Sequence, residues 1–305
     1  MHENQLSRWG AISKVLQDVP PSAKVFLVGD TNDAWFGDFQ YEFPPDHNGV
    51  VRVYSSVNAA MDACVAGRGD VILCMPNHAE TISAATSMVI DVAGVSVIGL
   101  GSGGNRPVFT YSATAGTIEL DADNTRLSNV ILRSSISAVV KGINVDAENV
   151  RIDNIRMDWE ETGDDFVTMI DIDAVNGTVI ENCQLIAEDA AGCSEAIRLD
   201  DCDHVVIRKN HIYGDFTDSA IVGEGAAGAN LLIEGNTIYN SDTTAGYVID
   251  LNVTFTGIIS KNDCGTLFAT APETAFDPGS CLCIENYVCN AVDESGALVP
   301  TTVST

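Results

Sequence analysis

Residues 231–240 read LLIEGNTIYN, and the same short pattern returns along most of the chain. Each copy has an apolar anchor, a short stretch that contains Asn, Gly or Lys, and a second apolar residue or Cys five positions after the anchor. Successive copies start 25 to 30 residues apart, and a repeat of near-constant length predicts a protein built from stacked units. The anchors are Val97, Leu127, Ile152, Ile180, Ile207, Ile233, Ile259 and Ile284.

The alternation of residues inside each copy separates the repeat folds that share this length. Apolar and polar residues alternate around each anchor, which is the period of a β-strand, and the LxxLxL frame of leucine-rich repeats is missing. A second alternating pair precedes most anchors by roughly nine residues, so each coil should hold at least two strands. These pairs are Ile118/Leu120, Ile143/Val145, Ile170/Ile172, Ile197/Leu199 and Ile249/Leu251. We therefore predict an all-β fold, a right-handed parallel β-helix of about 7–8 coils in a single solenoid.

Asparagines recur beside the anchors in two columns. Stacked Asn side chains can hydrogen-bond along the axis of a coil stack, and Asn tolerates the left-handed backbone of a sharp corner. We interpret both columns as structural. Asn210, Asn236 and Asn262 share one position, and Asn129, Asn154, Asn182 and Asn286 come one residue earlier.

A column of carboxylates follows the second pair of strand residues. Stacked carboxylates repel each other unless they are solvated or bind a metal, and calcium prefers oxygen ligands of this kind. Both interpretations stay open, with the solvated turn as the simpler one in an acidic protein, and no other cofactor is predicted. The column contains Asp121, Asp146, Asp173 and Asp200, and Asn252 continues it.

Composition narrows the classes of partner. The 305 residues include 15 Lys+Arg and 43 Asp+Glu, for a net charge of −28, which argues against nucleic acid and anionic membranes as partners. No apolar run is long enough to predict a membrane span. The nine cysteines include no CxxC pair, so we expect mostly free thiols and assembly in a reducing cytoplasm. The first residues lack the apolar core of a secretory signal, in line with that expectation.

The first 25 residues fall outside the repeat and contain a short amphipathic segment that ends at Pro20-Pro21. We predict that this segment docks, either on the chain's own rod, on a sister subunit or on another protein. Its apolar residues are Leu6, Trp9, Ile12 and Leu16.

Residues 30–48 are predicted to form a loop with a dense aromatic cluster. If exposed, this cluster would be an interaction patch; otherwise it folds over one face of the β-helix, and the sequence leaves both open. The second group of predicted docking residues is therefore Trp35, Phe36, Phe39, Tyr41 and Phe43.

Residues 51–66 predict a strand followed by a helix with Ser56 as its N-cap. An amphipathic helix here would cover the open end of the first coil, whose unpaired strand edge would otherwise invite aggregation. The chain then divides into an N-terminal anchor at 1–48, a capping strand–helix–strand with the first coil at 49–90, the β-helix at 91–290 and a tail at 291–305. The tail either frays or straps the last coil.

Two stretches carry a resemblance: SSVNAAMDACVAGRGDVILCMPNHAETI at 55–82 and GVSVIGLGSGGNRPVFT at 94–110. They resemble the start of parallel β-helix proteins of tailed bacteriophages, in which a helix is followed by Gly-Asp, an apolar strand, Pro-Gly-His/Tyr and a Thr/Glu-rich turn. Asn77 stands where that pattern has glycine, and the resemblance covers roughly residues 50–290. The group includes tailspikes, head fibres and capsid decoration proteins, often homotrimers. The resemblance thus implies a virion-surface protein whose partners are its own copies and capsid or other virion proteins.

Within this group we expect a non-enzymatic capsid decoration protein, with a polysaccharide-degrading tailspike or a host-glycan-binding module as alternatives. A hydrolase needs two carboxylates that flank a sugar, but in so acidic a chain such clusters arise without function. A lyase would use a basic residue opposite calcium, for which Arg198, beside Asp200, is the best candidate; Arg126 and Arg151 form a further column. Several aromatic residues after residue 112 occupy strand positions and are expected to be core or packing residues. The candidate acids are Asp158, Glu160, Glu161, Asp164, Asp165, Asp200, Asp201 and Asp203.

Overall fold

The computed structural model describes residues 22–32, 34–188, 192–252, 254–268, 275–290 and 297–299. It confirms a right-handed parallel β-helix, with three long sheets that run the length of the rod. The coil number differs from the sequence prediction, because sheet A contains 11 strands and the rod has about ten turns. The prediction of 7–8 coils was too low since the first coils, at Val25–Val28 and Val71–Cys74, carry no full copy of the pattern.

Sheet A holds the anchors and pairs parallel throughout. In chain order its strands are Val25–Val28, Val53–Tyr54, Val71–Cys74, Ser96–Gly99, Arg126–Ser128, Arg151–Asp153, Val179–Glu181, Val206–Arg208, Leu231–Glu234, Gly257–Ser260 and Leu282–Ile284.

Sheet B follows each anchor across a tight corner, and only its last strand is antiparallel among the described pairings. Its strands are Ala79–Ile82, Val108–Tyr111, Ile131–Ser134, Arg156–Trp159, Gln184–Ile186, His211–Gly214, Thr237–Asn240, Asp263–Thr266, Asn286–Asn290 and Ala297–Val299. Sheet C holds the predicted second pair of strand residues. Its strands are Met88–Ile90, Ile118–Leu120, Val139–Val145, Phe166–Asp173, Cys193–Asp200, Phe216–Glu224, Tyr247–Leu251 and Phe276–Asp277.

The core is a stack of side chains that point inward from these sheets. Ile152 pairs with Ile180, Ile180 with Ile207 and Ile207 with Ile233 in register, and all four side chains are fully buried. The second column stacks in the same way in sheet C, for example Ile143 with Ile170. Equivalent residues of successive copies therefore lie over one another, as the period predicts.

The predicted anchor of the last coil is wrong by one residue. Cys283, not Ile284, pairs with Ile259, so Ile284 faces outward and is 48% exposed. Consequently Val288 points inward and Cys289 does not. The shift also moves Asn286, because it now lies three residues after the true anchor, the position of the other buried asparagines.

The two Asn columns have different surroundings at the corner between sheets A and B. The column that contains Asn129, Asn154 and Asn182 lies at the left-handed corner residue, with φ of 58° at Asn129 and 54° at Asn154, and its side chains are at least partly exposed. The second column is buried and forms the predicted ladder, in which the amide oxygen of one asparagine accepts from the backbone N–H and the side-chain N–H of the asparagine one coil earlier. The ladder contains Asn210, Asn236, Asn262 and Asn286, so Asn286 belongs with the buried column.

The capping helix is confirmed at Val57–Met61, and Ser56 accepts a hydrogen bond from the Ala59 amide as its N-cap. Val57, Ala60 and Met61 are buried against the first strands of sheets A and C. The helix therefore covers the open end of the stack.

The aromatic stretch is not a loop: Ala34–Glu42 is a helix. Phe36 and Phe39 are buried against the outer face of sheet A, beside Leu27 and Leu73, because these residues alternate with the inward core residues of their strands. Tyr41 is 89% exposed, and Phe43 stacks on Phe39. The sequence left open whether the aromatic cluster is an exposed interaction patch or folds over the β-helix, and Phe36 and Phe39 fold over the β-helix.

The other predicted docking residues lie outside the described residues. Leu6, Trp9, Ile12 and Leu16 belong to residues 1–21, and the side chain of Trp35 is not described. At the other end, Ala297–Val299 pairs antiparallel with Asn286–Asn290, so this part of the tail straps the last coil. No helix in the described ranges is long and apolar enough to cross a membrane.

Candidate functional site

One corner between sheets A and B is much longer than its neighbours. The next two coils turn through Asn129 and Val130 and through Asn154 and Ile155, whereas residues 100–107 form an extended connection that contains a 3-10 helix at Gly103–Asn105. Arg106 folds this loop back over the rod: its Nε donates to the carbonyl of Gly103 (3.2 Å), and its Nη1 donates to the carbonyl of Asn154 (2.9 Å). The loop therefore overhangs the next corners and forms one wall of a groove.

The groove has a volume of about 480 Å³ and its floor is the outer face of sheet B. Three arginines, Arg106, Arg133 and Arg156, line it. The corner asparagines and the exposed Gln184 add side-chain amides. Amides and guanidinium groups together can bind hydroxyl groups and anions.

Asp158 organises two of the arginines. Its carboxylate, only 5% exposed, accepts from Arg133 Nε (2.8 Å) and Nη2 (3.1 Å) and from Arg156 Nε (2.7 Å). These contacts raise the pKa of Arg133, chiefly through the hydrogen bond to Asp158. Burial, followed by the charge of Arg156, lowers the pKa of Arg106, but a guanidinium still holds its proton at neutral pH. We name this set, Arg106, Arg133, Arg156 and Asp158, the arginine groove.

An aromatic row continues the same face of sheet B. Tyr213 and Tyr239 pair in register on adjacent strands, and each is 43% exposed. The ring of Tyr239 lies over Gly265, where a Cβ atom would come within 3.1 Å of Cδ2. Tyr287 lies one file across, beside Asp263, and is also 43% exposed. Several aromatic residues after residue 112 were expected to be core or packing residues, and four of them, Phe166, Phe216, Phe255 and Phe276, are buried. The three tyrosines instead alternate with the inward residues of their strands and face outward.

The outer face of sheet C carries a second charged cluster. Asp171 has a fully buried side chain between Lys141 (2.5 Å) and Arg198 (3.3 Å). Arg198 also faces Asp200 at 3.7 Å and Glu224 at 3.5 Å. Burial is the largest single effect on the pKa of Arg198 and lowers it, but the surrounding carboxylates together outweigh burial and raise this pKa. The lyase candidate Arg198 is thus an ion-paired guanidinium. Arg126 and Arg151 are likewise paired, with Asp153 on sheet A.

The predicted acidic column follows the strands of sheet C, as expected from the repeat. Oxygens of Glu119, Asp121 and Asp146 lie within 4.8 Å of one another. Burial, aided by neighbouring carboxylates, raises the pKa of Glu119 and Asp121. The Asn144 amide donates to Glu119 and to Asp146, both at 2.8 Å, so an amide already bridges two of these carboxylates.

Asp173 and Asp200 pair in register in sheet C and are not part of this cluster. Asp200 accepts from the backbone of Ala226 (2.9 Å). Calcium binding by the column stays a prediction.

Among the candidate acids, Asp165 has the most altered environment. It is 5% exposed at the corner between sheets B and C, and burial, followed by Glu188 and Asp215, raises its pKa to about 7. Its Oδ1 accepts from the Phe166 amide (2.7 Å). Asp158, in contrast, is held by two arginines and does not resemble a free general acid.

The outward face of sheet B could have been predicted from the alternation of residues after each anchor. Residues five positions after an anchor point inward, so residues four and six positions after it must point outward. The sixth position places Arg133, Asp158, Tyr213 and Tyr239 in one file, together with the buried Ile186 between Asp158 and Tyr213. The role of Arg106 had no such signal, because it contacts a residue in a later coil across a loop that breaks the repeat.

Comparison with known proteins identifies the fold but no family. No protein-family model matches the chain, and no curated protein matches it. The crystal structure of Escherichia coli YbhC aligns over 90% of this chain and 87% of that one, with 11% identity and a TM-score of 0.54. The Bacillus sp. N165 pectate lyase, solved with trigalacturonate, aligns over 94% and 87%, with 13% identity and a TM-score of 0.50. A protein of Geobacillus virus E2, ORF18, aligns with a TM-score of only 0.28 and 11% identity, over 95% and 65%, which is too low for any argument. These similarities show a parallel β-helix and leave its function to be argued from the site.

Proposed function

We propose that this protein is a non-enzymatic bacteriophage virion protein that decorates the particle surface, most simply the capsid. The observation that carries the proposal is the resemblance of residues 55–82 and 94–110 to the start of phage β-helix proteins. The residues behind that resemblance have a common physical task in this chain, which supports treating them as one motif.

The Gly-Asp of the motif fixes the cap to the first coil. Asp70 is fully buried and accepts hydrogen bonds from the amides of Lys24 (2.7 Å) and Val65 (2.9 Å) and from Arg68 Nε (2.6 Å). His78 and Glu80 also fix the capping helix to the first coil, on the other side of the helix. His78 Nε2 lies 2.7 Å from Glu80 Oε1, which also accepts from the first helical amide, Val57 (2.8 Å).

Self-association into a homotrimer is part of the proposal. An apolar stripe on the outer face of sheet A supports it, since exposed apolar patches of this kind mark interaction surfaces. Ile258 is 41% exposed, its register partner Leu282 is 69% exposed, and Ile284 lies beside them. We assign this stripe to a second copy of the chain.

The test is incorporation into particles. A deletion of residues 1–21 should leave a folded rod that no longer joins purified particles, which is measured by immunoblot and electron cryomicroscopy. The deletion stops before Val25–Val28, because that strand belongs to sheet A. A Val140→Ala variant is the control, since Val140 is exposed on sheet C and belongs to neither group of predicted docking residues. Normal incorporation of the truncated chain would refute the assigned anchor, and absence of the intact chain from particles would refute the virion role.

Glycan binding is the second candidate, and the exposed tyrosines beside the arginine groove favour it. Aromatic rings that stand free on a rigid sheet can stack on sugar rings, and the groove supplies hydrogen-bond donors next to them. A polysaccharide-degrading tailspike would need turnover as well as binding. If the protein turned over a host polysaccharide and the Asp200→Asn variant did not, the tailspike enzyme would replace the non-enzymatic proposal.

A further inference from the structure

We propose that the outer face of sheet B binds an extended acidic oligosaccharide, with its anionic groups in the arginine groove and its sugar rings on Tyr213 and Tyr239. This inference deepens the glycan-binding candidate and does not depend on the position of the protein on a particle.

The groove has an excess of unused positive donors. A guanidinium has five N–H donors, yet Arg156 uses one of them and Arg133 two in hydrogen bonds among the described residues. Apart from Asp158, the described residues that line the groove contribute no carboxylate against its three arginines. The adjoining recess contains the buried Asp158 and the exposed Glu160. Guanidinium groups bind carboxylate and sulfate in paired, charge-assisted hydrogen bonds, so the ligand should carry such groups.

Asp158 fixes the geometry of this donor set. Because its carboxylate receives Arg133 on one side and Arg156 on the other, both side chains are held before a ligand arrives. The loop held by Arg106 closes the groove from the side. Preorganised donors lose less side-chain entropy on binding than mobile surface side chains do.

The aromatic row gives the site its direction. Arg133, Asp158, Ile186, Tyr213 and Tyr239 occupy one file on this face, in which neighbouring strands lie ~4.8 Å apart and Asp158 and Ile186 are buried. The file from Arg133 to Tyr239 crosses four strand spacings, or roughly 19 Å, which suits a linear chain of several units. The neighbouring file contributes Gln184 and His211, both exposed, which can bind hydroxyl groups. A linear polymer that lies along the rod could contact all of these side chains at once.

The charge of the whole protein sets a condition on this binding. With a net charge of −28, the chain repels a polyanion at long range, so affinity has to come from contacts within the groove. A moderate rise in salt would then screen the general repulsion, whereas the buried part of each guanidinium contact is screened less.

Two arginines form a matched pair for the test. Arg156 is 41% exposed and donates through Nε at 2.7 Å to Asp158, which Arg133 also holds. Arg208 on sheet A is 39% exposed and donates through Nε at 2.7 Å to Glu181, which Arg151 also holds. Arg156→Gln and Arg208→Gln thus make the same change of charge and leave the same kind of residual ion pair on two different faces.

The experiment titrates the full chain by calorimetry with three tetrasaccharides: tetragalacturonate, a sulfated heparin-derived tetrasaccharide and neutral maltotetraose. We expect an acidic probe to bind at least ten-fold more tightly than maltotetraose. Arg156→Gln should weaken it about ten-fold or more, and Arg208→Gln should not change it. Tyr239→Ala should weaken it as well, with Tyr41→Ala as its control.

The outcomes separate the claims. If maltotetraose binds as tightly as the acidic probes and depends on Tyr239, glycan binding stands and the acidic class is refuted. If Arg208→Gln weakens binding as much as Arg156→Gln, the site is not this groove. If none of the three probes binds, the inference fails, and the virion proposal is unaffected.

Discussion

Replacing Asn236 with alanine tests the physical basis of the rod, because this side chain connects three coils. It is 1% exposed. Its Oδ1 accepts from the backbone N (2.9 Å) and Nδ2 (3.0 Å) of Asn210. Its Nδ2 donates to the carbonyl of Ile207 (3.0 Å) and to Asn262 Oδ1 (2.9 Å).

Alanine leaves these four buried groups with fewer partners. A buried polar group that loses its partner costs about 1–3 kcal/mol, but Asn262 Oδ1 keeps the Asn236 backbone N–H (2.9 Å) and Asn210 Nδ2 keeps the carbonyl of Ile180 (3.1 Å). The Asn210 backbone N–H and the Ile207 carbonyl lose the side chain of Asn236, so we expect the variant to lose about 2–6 kcal/mol of unfolding free energy, a large share of the stability of a typical domain.

Asn154→Gly is the matched control at the same corner. Asn154 is exposed, has a φ of 54° that glycine adopts freely, and donates one side-chain bond to Asn129 (2.8 Å). Its replacement should cost below about 1 kcal/mol. Urea unfolding followed by circular dichroism gives both midpoints. Equal midpoints for the two variants would show that the buried ladder contributes no more than the exposed corner, which would refute the reasoning.

Three further predictions concern other parts of the rod. Asp165→Asn should stabilise the protein at pH 8 and hardly at pH 4. The pKa of Asp165 is raised to about 7 in the folded chain, whereas the unfolded chain releases this proton near 3.8. The carboxyl group therefore costs progressively more stability as the pH rises from about 4 to 7, and on the order of 4 kcal/mol above pH 7. Thermal melts at both pH values check it, and an equal gain at the two would contradict it. Asp70→Asn should destabilise the cap by about 3 kcal/mol, since it removes a buried charge that holds Arg68. Hydrogen exchange should become faster around residues 57–61 than in sheet C, and unchanged exchange around residues 57–61 would show that Asp70 does not fix the cap to the first coil. Leu282→Asp should dissociate the proposed trimer in sedimentation experiments, while Val140→Asp on the exposed face of sheet C should not. A trimer that survives Leu282→Asp would exclude the sheet A stripe as its interface.

The sequence predicted those features that repeat and missed those that depend on a single contact. Ile152, Ile180, Ile207 and Ile233 could be placed because every coil must fill the same inward position. The helix at Ala34–Glu42 could not, since it forms where Phe36 and Phe39 find Leu27 and Leu73, residues with no fixed spacing from them.

The coil number and the last anchor were misjudged for a related reason. Val25–Val28 pairs with Val71–Cys74 across an intervening helix and loop, which hides the period. Near residue 284 two apolar residues, Cys283 and Ile284, compete for one inward position, and only the register of Asn286 in the ladder decides between them. The docking residues of 1–21 stay predictions.

The change of corner chemistry along the rod has a mechanical consequence. From residue 210 onward, buried asparagine side chains join each corner to the next, with two hydrogen bonds at every step. Asn129 is only partly buried and Asn154 is exposed, so the one bond between their side chains competes with water, although Asn129 also donates to the carbonyls of Gly99 and Gly101. Under a pull along the axis, the coils near the arginine groove would part first, and the block from Asn210 to Asn286 would separate last. The segment that presents the charged groove is therefore also the more compliant one.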